Sequence, residues 1–262
     1  MEWLIIIAVC FVSSVIGSIC GIGGGVIIKP VLDSIGIMEV TTASFLSGCT
    51  VFSMSTVSFF RNMRGKRSYK FDKVFACTLT LGSVIGGVSG KAIFQNIVDG
   101  LNDKNTIGAI QAAILFIITA GTLVYTINKE RIATKKIDSK SMIFFLGLML
   151  GMMSSFLGIG GGPINLIVLY YFFSMETKEA ALYSICIILF SQLSSLLSTL
   201  ITGQIPEFSV GILVLMAGCG VVGGLVGTQI NKKILNKTVD KLFAGLIVVI
   251  MLLCVYNIVR YA

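Results

Sequence analysis

The sequence predicts an all-α integral membrane protein of about eight transmembrane helices, arranged as two tandem four-helix repeats, each with a first helix broken by a glycine loop. Hydrophobic residues make up 55% of the chain and charged residues only 12%. Soluble domains run near 25% charged, so this chain carries more apolar surface than a water-soluble fold hides. Apolar runs of transmembrane length recur along it, and backbone groups in lipid must be paired internally, which leaves helices as the reading. The chain also repeats itself without gaps: Ser18, Gly21-Ile22-Gly23-Gly24-Gly25, Met38-Glu39, Ala43, Ser47 and Ser58 return 137 positions later as Ser155, Gly158-Ile159-Gly160-Gly161-Gly162, Met175-Glu176, Ala180, Ser184 and Ser195. Gly86-Gly87-x-x-Gly90 returns at the same offset as Gly223-Gly224-x-x-Gly227.

The first span covers about 2–20. Met1-Glu2-Trp3 gives it no basic leader and no small-residue cleavage site follows, so it is read as retained. Apolar character continues to Gly36, which as unbroken helix would be roughly 50 Å, against about 30 Å of hydrocarbon. The segment must tilt or break, and the glycines at 21–25 are where helix costs most, about 1 kcal/mol each relative to alanine. Spans at about 41–60, 74–94 and 106–128 complete a first unit, 1–128. A basic linker, 129–140, precedes the second unit, 141–262, with spans at about 141–157, 177–202, 209–230 and 239–259 and its own overlong first segment, broken at 158–162.

The net charge of +8 is unevenly placed. Arg61, Arg64, Lys66, Arg67, Lys70 and Lys73 fill the loop after the second span, and Lys129, Arg131, Lys135, Lys136 and Lys140 fill the linker. The positive-inside rule makes both cytoplasmic. With four spans per unit, both termini are then cytoplasmic, Asp33, Glu39, Asp99 and Asp103 fall outside, and the copies run parallel. Lys232, Lys233, Lys237 and Lys241 resist this scheme, because the same parity places them outside; either the bias is weaker in the second half, or one glycine-loop segment is re-entrant and the parity changes, which leaves inverted copies open. Orientation accounts for the basic residues, so nucleic acid is not a partner; the bilayer is.

A helix broken at membrane depth leaves amide donors of the following half-helix without water to satisfy them, and the positive end of its dipole favours an anion. Glycines let a ligand approach the backbone. The candidate substrate contacts are therefore Gly21, Gly23, Gly24 and Gly25 with Ser18, and Gly158, Gly160, Gly161 and Gly162 with Ser155. Pro163 suits the first turn of the second half-helix. The matched serines Ser47 and Ser184 lie on hydroxyl-bearing faces that either pair with neighbouring helices or line a pathway. Gly86, Gly87, Gly90, Gly223, Gly224 and Gly227 are read as packing glycines. Lys29, four residues past the first loop, either complements the anion from one side or snorkels to the interface. The chain has no histidine and no acidic pair within a span. A proton relay of imidazoles or carboxylates is not visible, an enzyme is not expected, and no metal or cofactor is implied. The seven cysteines make no metal motif and are read as packing residues.

Gly21-Ile-Gly-Gly-Gly-Val-Ile-Ile-Lys-Pro30-Val-Leu32 near the start and Gly158-Ile-Gly-Gly-Gly at the middle of a duplicated hydrophobic chain resemble the sulfite exporter TauE/SafE family, also called the 4-toluene sulfonate uptake permease family. The resemblance covers essentially the whole chain. It implies a secondary carrier at the cell membrane for small sulfur-containing anions such as sulfite, sulfonates or sulfoacetate. The second copy departs from the pattern: Ile167 stands at the place of Pro30, and Pro163 and Asn165 appear instead, so Asn165 joins the candidate contacts. A second reading is a sulfur-delivery or thiosulfate-handling protein using Cys20, Cys49 or Cys186 chemically. The sequence leaves open the direction of transport, a coupling ion (H+ or Na+) and homo-oligomerisation.

Overall fold

The computed structural model describes residues 2–64, 71–100, 104–129 and 131–261. Lys66, Arg67, Lys70 and Asp103 lie outside the described residues. Ten helices are described: α1 (Glu2–Cys20), α2 (Gly25–Ile35), α3 (Val40–Arg64), α4 (Lys73–Gly100), α5 (Lys104–Asn128), α6 (Lys140–Leu157), α7 (Gly162–Phe173), α8 (Thr177–Ile201), α9 (Val210–Lys233) and α10 (Asn236–Tyr261). Eight are long and apolar enough to cross a membrane; α2 and α7 are the short ones.

The glycine loops do more than kink their helices. Gly24 lies against the backbone of Ser13 and Ser14 on α1, and Leu32 of α2 packs in one cluster with Ile6 and Cys10. So α2 runs back toward the end of α1 where the chain began. Likewise Gly161 lies against Ser154 of α6. The end of α7 returns to the linker: Lys135 N–H donates to Tyr171 O at 2.7 Å and Ile137 N–H to Phe172 O at 3.0 Å. Each pair, α1–α2 and α6–α7, enters and leaves on one face.

That reversal changes the parity, and the copies are inverted rather than parallel. Only α3, α4 and α5 of the first unit, and α8, α9 and α10 of the second, carry the chain from face to face, an odd number in each. The side-by-side contacts agree. Gly48 on α3 meets Gln192 and Leu196 on α8, and Gly21 meets Ala181 while Gly158 meets Ser44. The N-terminal half of α3 thus lies beside the C-terminal half of α8. The expectation of parallel copies fails because the sequence counts α1 and α6 as crossings, when α2 and α7 undo them.

The same inversion places the charges. Arg61, Arg64, Lys73, Lys129, Arg131, Lys135, Lys136, Lys140, Lys232, Lys233, Lys237 and Lys241 all sit on one face, here the linker face; Lys232 Nζ donates to Arg61 O across it at 3.2 Å. Asp33, Glu39, Asp99 and Glu207 lie toward the opposite face, with both ends of the chain. Lys232 and its neighbours thereby join the other basic segments. This fold puts the basic helix ends and the described ends of the chain, Glu2 and Tyr261, on opposite faces.

Packing runs between the units. The α4–α6 seam brings Gly82, Gly86 and Gly90 against the carbonyls of Phe144, Leu148 and Met152, with Gly147 and Gly151 against those of Leu79 and Ser83. At the 137 offset, Gly223 meets Phe11 O and Gly227 meets Val15 O in the α1–α9 seam. Gly87 rests on Ser191 of α8, and Gly224 on Met54 of α3. Lipid offers no hydrophobic drive between helices, so close backbone approach at small residues supplies the van der Waals contact. Each unit lends α4 or α9 to the other's first helix.

Candidate functional site

Both glycine loops meet at the middle of the molecule. Gly23 and Gly160 each lie between Val51, midway along α3, and Ile188, midway along α8. Gly25 faces Ile159 O, and Gly162 faces Val26 and Ile22 O. The crossing is therefore in direct contact, with the residues on each side related by the repeat. Positive φ makes glycine necessary at Gly21 (76°), Gly23 (78°), Gly160 (84°) and Gly161 (78°). Main-chain bonds that close the loops run from Gly21 and Ile22 N–H to Gly17 O at 2.9 and 3.0 Å, and from Gly158 N–H to Ser155 O at 3.3 Å. Among the described residues, Gly23, Gly24, Gly160 and Gly161 donate none of them. Those amides sit where α2 and α7 begin, at the positive ends of their dipoles.

Beside this crossing the two units differ. On the linker side of the first loop, Ser18 Oγ pairs with Ser58 Oγ at 2.8 Å and Thr228 Oγ1 at 3.0 Å and donates to Gly224 O at 3.2 Å. Asn231 Nδ2 caps the end of α1 by donating to Ile19 O at 2.5 Å. The hydroxyls of Ser18, Ser58 and Thr228 are thereby satisfied among themselves and by Gly224 O. On the terminal-face side of the second loop the corresponding residues line a cavity: Ser155 and Gly158 with Ser44, Gly48, Lys91, Phe94, Gln192, Ser195 and Thr199 among its walls. Ser44 and Ser155 are buried there with unpartnered Oγ atoms. Lys91 stands at the position equivalent to Thr228.

The remaining expected contacts divide. Asn165 Nδ2 donates to Ser184 Oγ at 3.4 Å, which ties α7 to α8. Ile28 occupies the place equivalent to Asn165, and Ser47 Oγ is buried without a partner. Neither Ser47 nor Ser184 lines the cavity beside Gly158. Lys29 is held in an ion pair. Its Nζ is bound to Asp33 Oδ2 at 2.6 Å, and both side chains are buried at 4% and 6% exposure. A buried ion pair cannot lend its charge to an anion without breaking, and breaking one is costly because the other charge is left unpaired.

Lys91, which lines the cavity, is not among the residues that the sequence singles out. The signal was present: a lysine inside the glycine-patterned helix at 74–94, aligned with a threonine in the other copy. The cysteines stand apart from this chemistry. Cys20 and Cys186 are buried, Cys49 is partly buried, all three are free thiols, and none lines the cavity.

A family model, sulfite exporter TauE/SafE, matches residues 6–253. The chain is 26% identical over 246 residues to the "Probable membrane transporter protein MJ0441" of Methanocaldococcus jannaschii, covering 89% of this chain and 88% of that one. It is 23% identical over 276 residues to the "Probable membrane transporter protein YunE" of Bacillus subtilis, covering 98% of each. No solved structure matches it.

Proposed function

The chain belongs to the sulfite exporter TauE/SafE family, and from that premise we propose that it is a secondary transporter of small sulfur-containing anions of the sulfite, sulfonate or sulfoacetate type. The observation that carries the reading is the crossing of two glycine loops at mid-depth, with amides of Gly23, Gly24, Gly160 and Gly161 free of main-chain partners. Such amides at half-helix N-termini are anion donors, as broken helices are in other carriers. Gly21, Gly25, Gly158 and Gly162 hold the loops in reach, and Ser18, Ser155, Ser47, Ser184 and Asn165 supply hydroxyl and amide groups around them. The inverted units suggest the route. A site at the centre of two inverted halves is served alternately from each face as the halves exchange shapes. The closed hydroxyl cluster at Ser18 and the lined cavity at Ser155 are the two shapes.

Flux in proteoliposomes tests this. Sulfite, thiosulfate, sulfoacetate and taurine are offered in turn, with counterflow of the same anion as the readout. Saturable exchange of at least one of the sulfur oxoanions is expected. Leakage indistinguishable from empty liposomes for all four abandons the reading.

Sulfur delivery needs a thiolate that attacks sulfur or is sulfurated. The chain with Cys20, Cys49 and Cys186 all changed to alanine is expected to keep most of its flux, since none of them lines the cavity. Complete loss of flux in that variant, with its melting temperature unchanged, moves the function to sulfur delivery.

A further inference from the structure

We propose that the cavity beside Gly158 is the oxoanion-binding subsite on the terminal face, and that Lys91 is its cationic anchor. The proposal rests on the reading of the chain as an anion carrier and names the group that would carry selectivity. Five features of the cavity point the same way.

First, Lys91 is a charged residue inside a spanning helix, and such residues are costly enough to mark a pathway by default. Among the described residues no carboxylate pairs with it; its ammonium lies over the Phe94 ring, 5.2 Å from the centroid. Lys29 and Lys129 differ in this, being bound to Asp33 and Asp240. Second, among the described residues no acidic side chain lines the cavity, and the formal charge they give it is positive. Third, Ser44 and Ser155, 8% and 4% exposed, present Oγ atoms without partners. A buried hydroxyl without a partner is costly in a folded protein, and an anion oxygen accepting from it removes the cost. Fourth, Gln192 crosses the cavity wall with its Nε2 donating to Ser154 Oγ at 3.3 Å, which fixes the amide beside Gly48. Fifth, the cavity is narrow, about 20 Å³. That is room for little more than a water, so a compact oxoanion headgroup is admitted only as the flexible Lys91 stem moves.

The other unit supplies an internal comparison. There Thr228, Ser18 and Ser58 close on one another and on Gly224 O. A threonine adds no charge and the hydroxyls have partners, so the equivalent position makes no anion site in this shape. The asymmetry between Lys91 and Thr228 gives the terminal face the tighter hold on the anion.

The test uses the full chain in lipid nanodiscs, titrated with sulfite, thiosulfate, sulfoacetate, phosphate and acetate while the melting temperature is followed. Lys91→Gln is expected to weaken the apparent Kd for sulfite about tenfold or more, as loss of a hydrogen bond to a charged group does. Lys91→Arg is expected to stay within about threefold, because charge and donors remain. If the sulfur oxoanions stabilise wild type and Lys91→Gln equally, the carrier reading stands and the subsite is overturned. If only phosphate or acetate stabilises the protein, and does so through Lys91, the subsite stands and the sulfur assignment falls. No response to any of the five overturns both. Should Lys91→Gln fail to fold, Ser44→Cys is reacted with a negatively charged methanethiosulfonate. Protection by sulfite is expected, and unprotected labelling at saturating sulfite overturns the subsite.

Discussion

Gly161→Val is expected to abolish anion flux while the protein still reaches the membrane. Gly161 has φ of 78°, where a side chain costs roughly 1–2 kcal/mol and a β-branched one more. Its Cβ would also stand 3.0 Å from Asn165 Oδ1 and 3.1 Å from Ser154 Cβ. Both neighbours are held, Asn165 by Ser184 and Ser154 by Ser191 and Gln192, so neither yields freely. The start of α7 must move, and with it the amides aimed at the crossing. A loss of about a hundredfold in flux corresponds to ~3 kcal/mol, within what strain and displacement together supply. Gly121→Val is the control, because nothing lies within 4 Å of a Cβ there. Near-normal flux in a folded Gly161→Val protein ends the idea that the left-handed loop is required. Gly24→Val is expected to be milder in strain, since φ at Gly24 is −69°, although its Cβ still meets the Ser13 and Ser14 backbone.

Cysteine labelling gives the second all-or-none outcome. The linker face carries the basic residues and is expected to be cytoplasmic by the positive-inside rule. In a chain with Cys77→Ser, a cysteine at Gln204, between α8 and α9, is expected to react with an impermeant maleimide in intact cells. Cysteines at Ala133 and Leu235 are expected to react only after permeabilisation. Labelling of Leu235→Cys with protection of Gln204→Cys restores the parallel arrangement and overturns the inverted fold. The termini follow the Gln204 side.

Much of this architecture was legible in the residues. The helices, the breaks at the glycines and the 137-residue correspondence follow from apolar run length and from glycine's poor standing in a helix. What was not legible is the direction the chain takes after each break. A glycine loop permits a kink or a reversal, and only the contact of Gly24 with Ser13 and Ser14 decides it. The stranded lysines at 232–241 were the one trace of the answer, because no even count of crossings puts them with the other basic segments. The site was legible in part. The loop glycines are where the repeats meet, but Lys29 looked available because the i, i+4 spacing to Asp33 was not weighed as a pair. Lys91 looked ordinary because the cavity that surrounds it is made by four helices from both units.

The exchange of α4 and α9 between units has a consequence for biosynthesis. The Ser14 and Ser18 side of α1 packs against α9, which leaves the ribosome some two hundred residues later, roughly 10–40 seconds at ordinary translation rates. Throughout that interval the Ser14 and Ser18 side of α1 lacks the helix it packs against in the finished fold. Its hydroxyls must wait on local partners or on the insertion machinery. The first unit cannot be completed as it emerges; the last helices of the chain finish the site that the first helices begin.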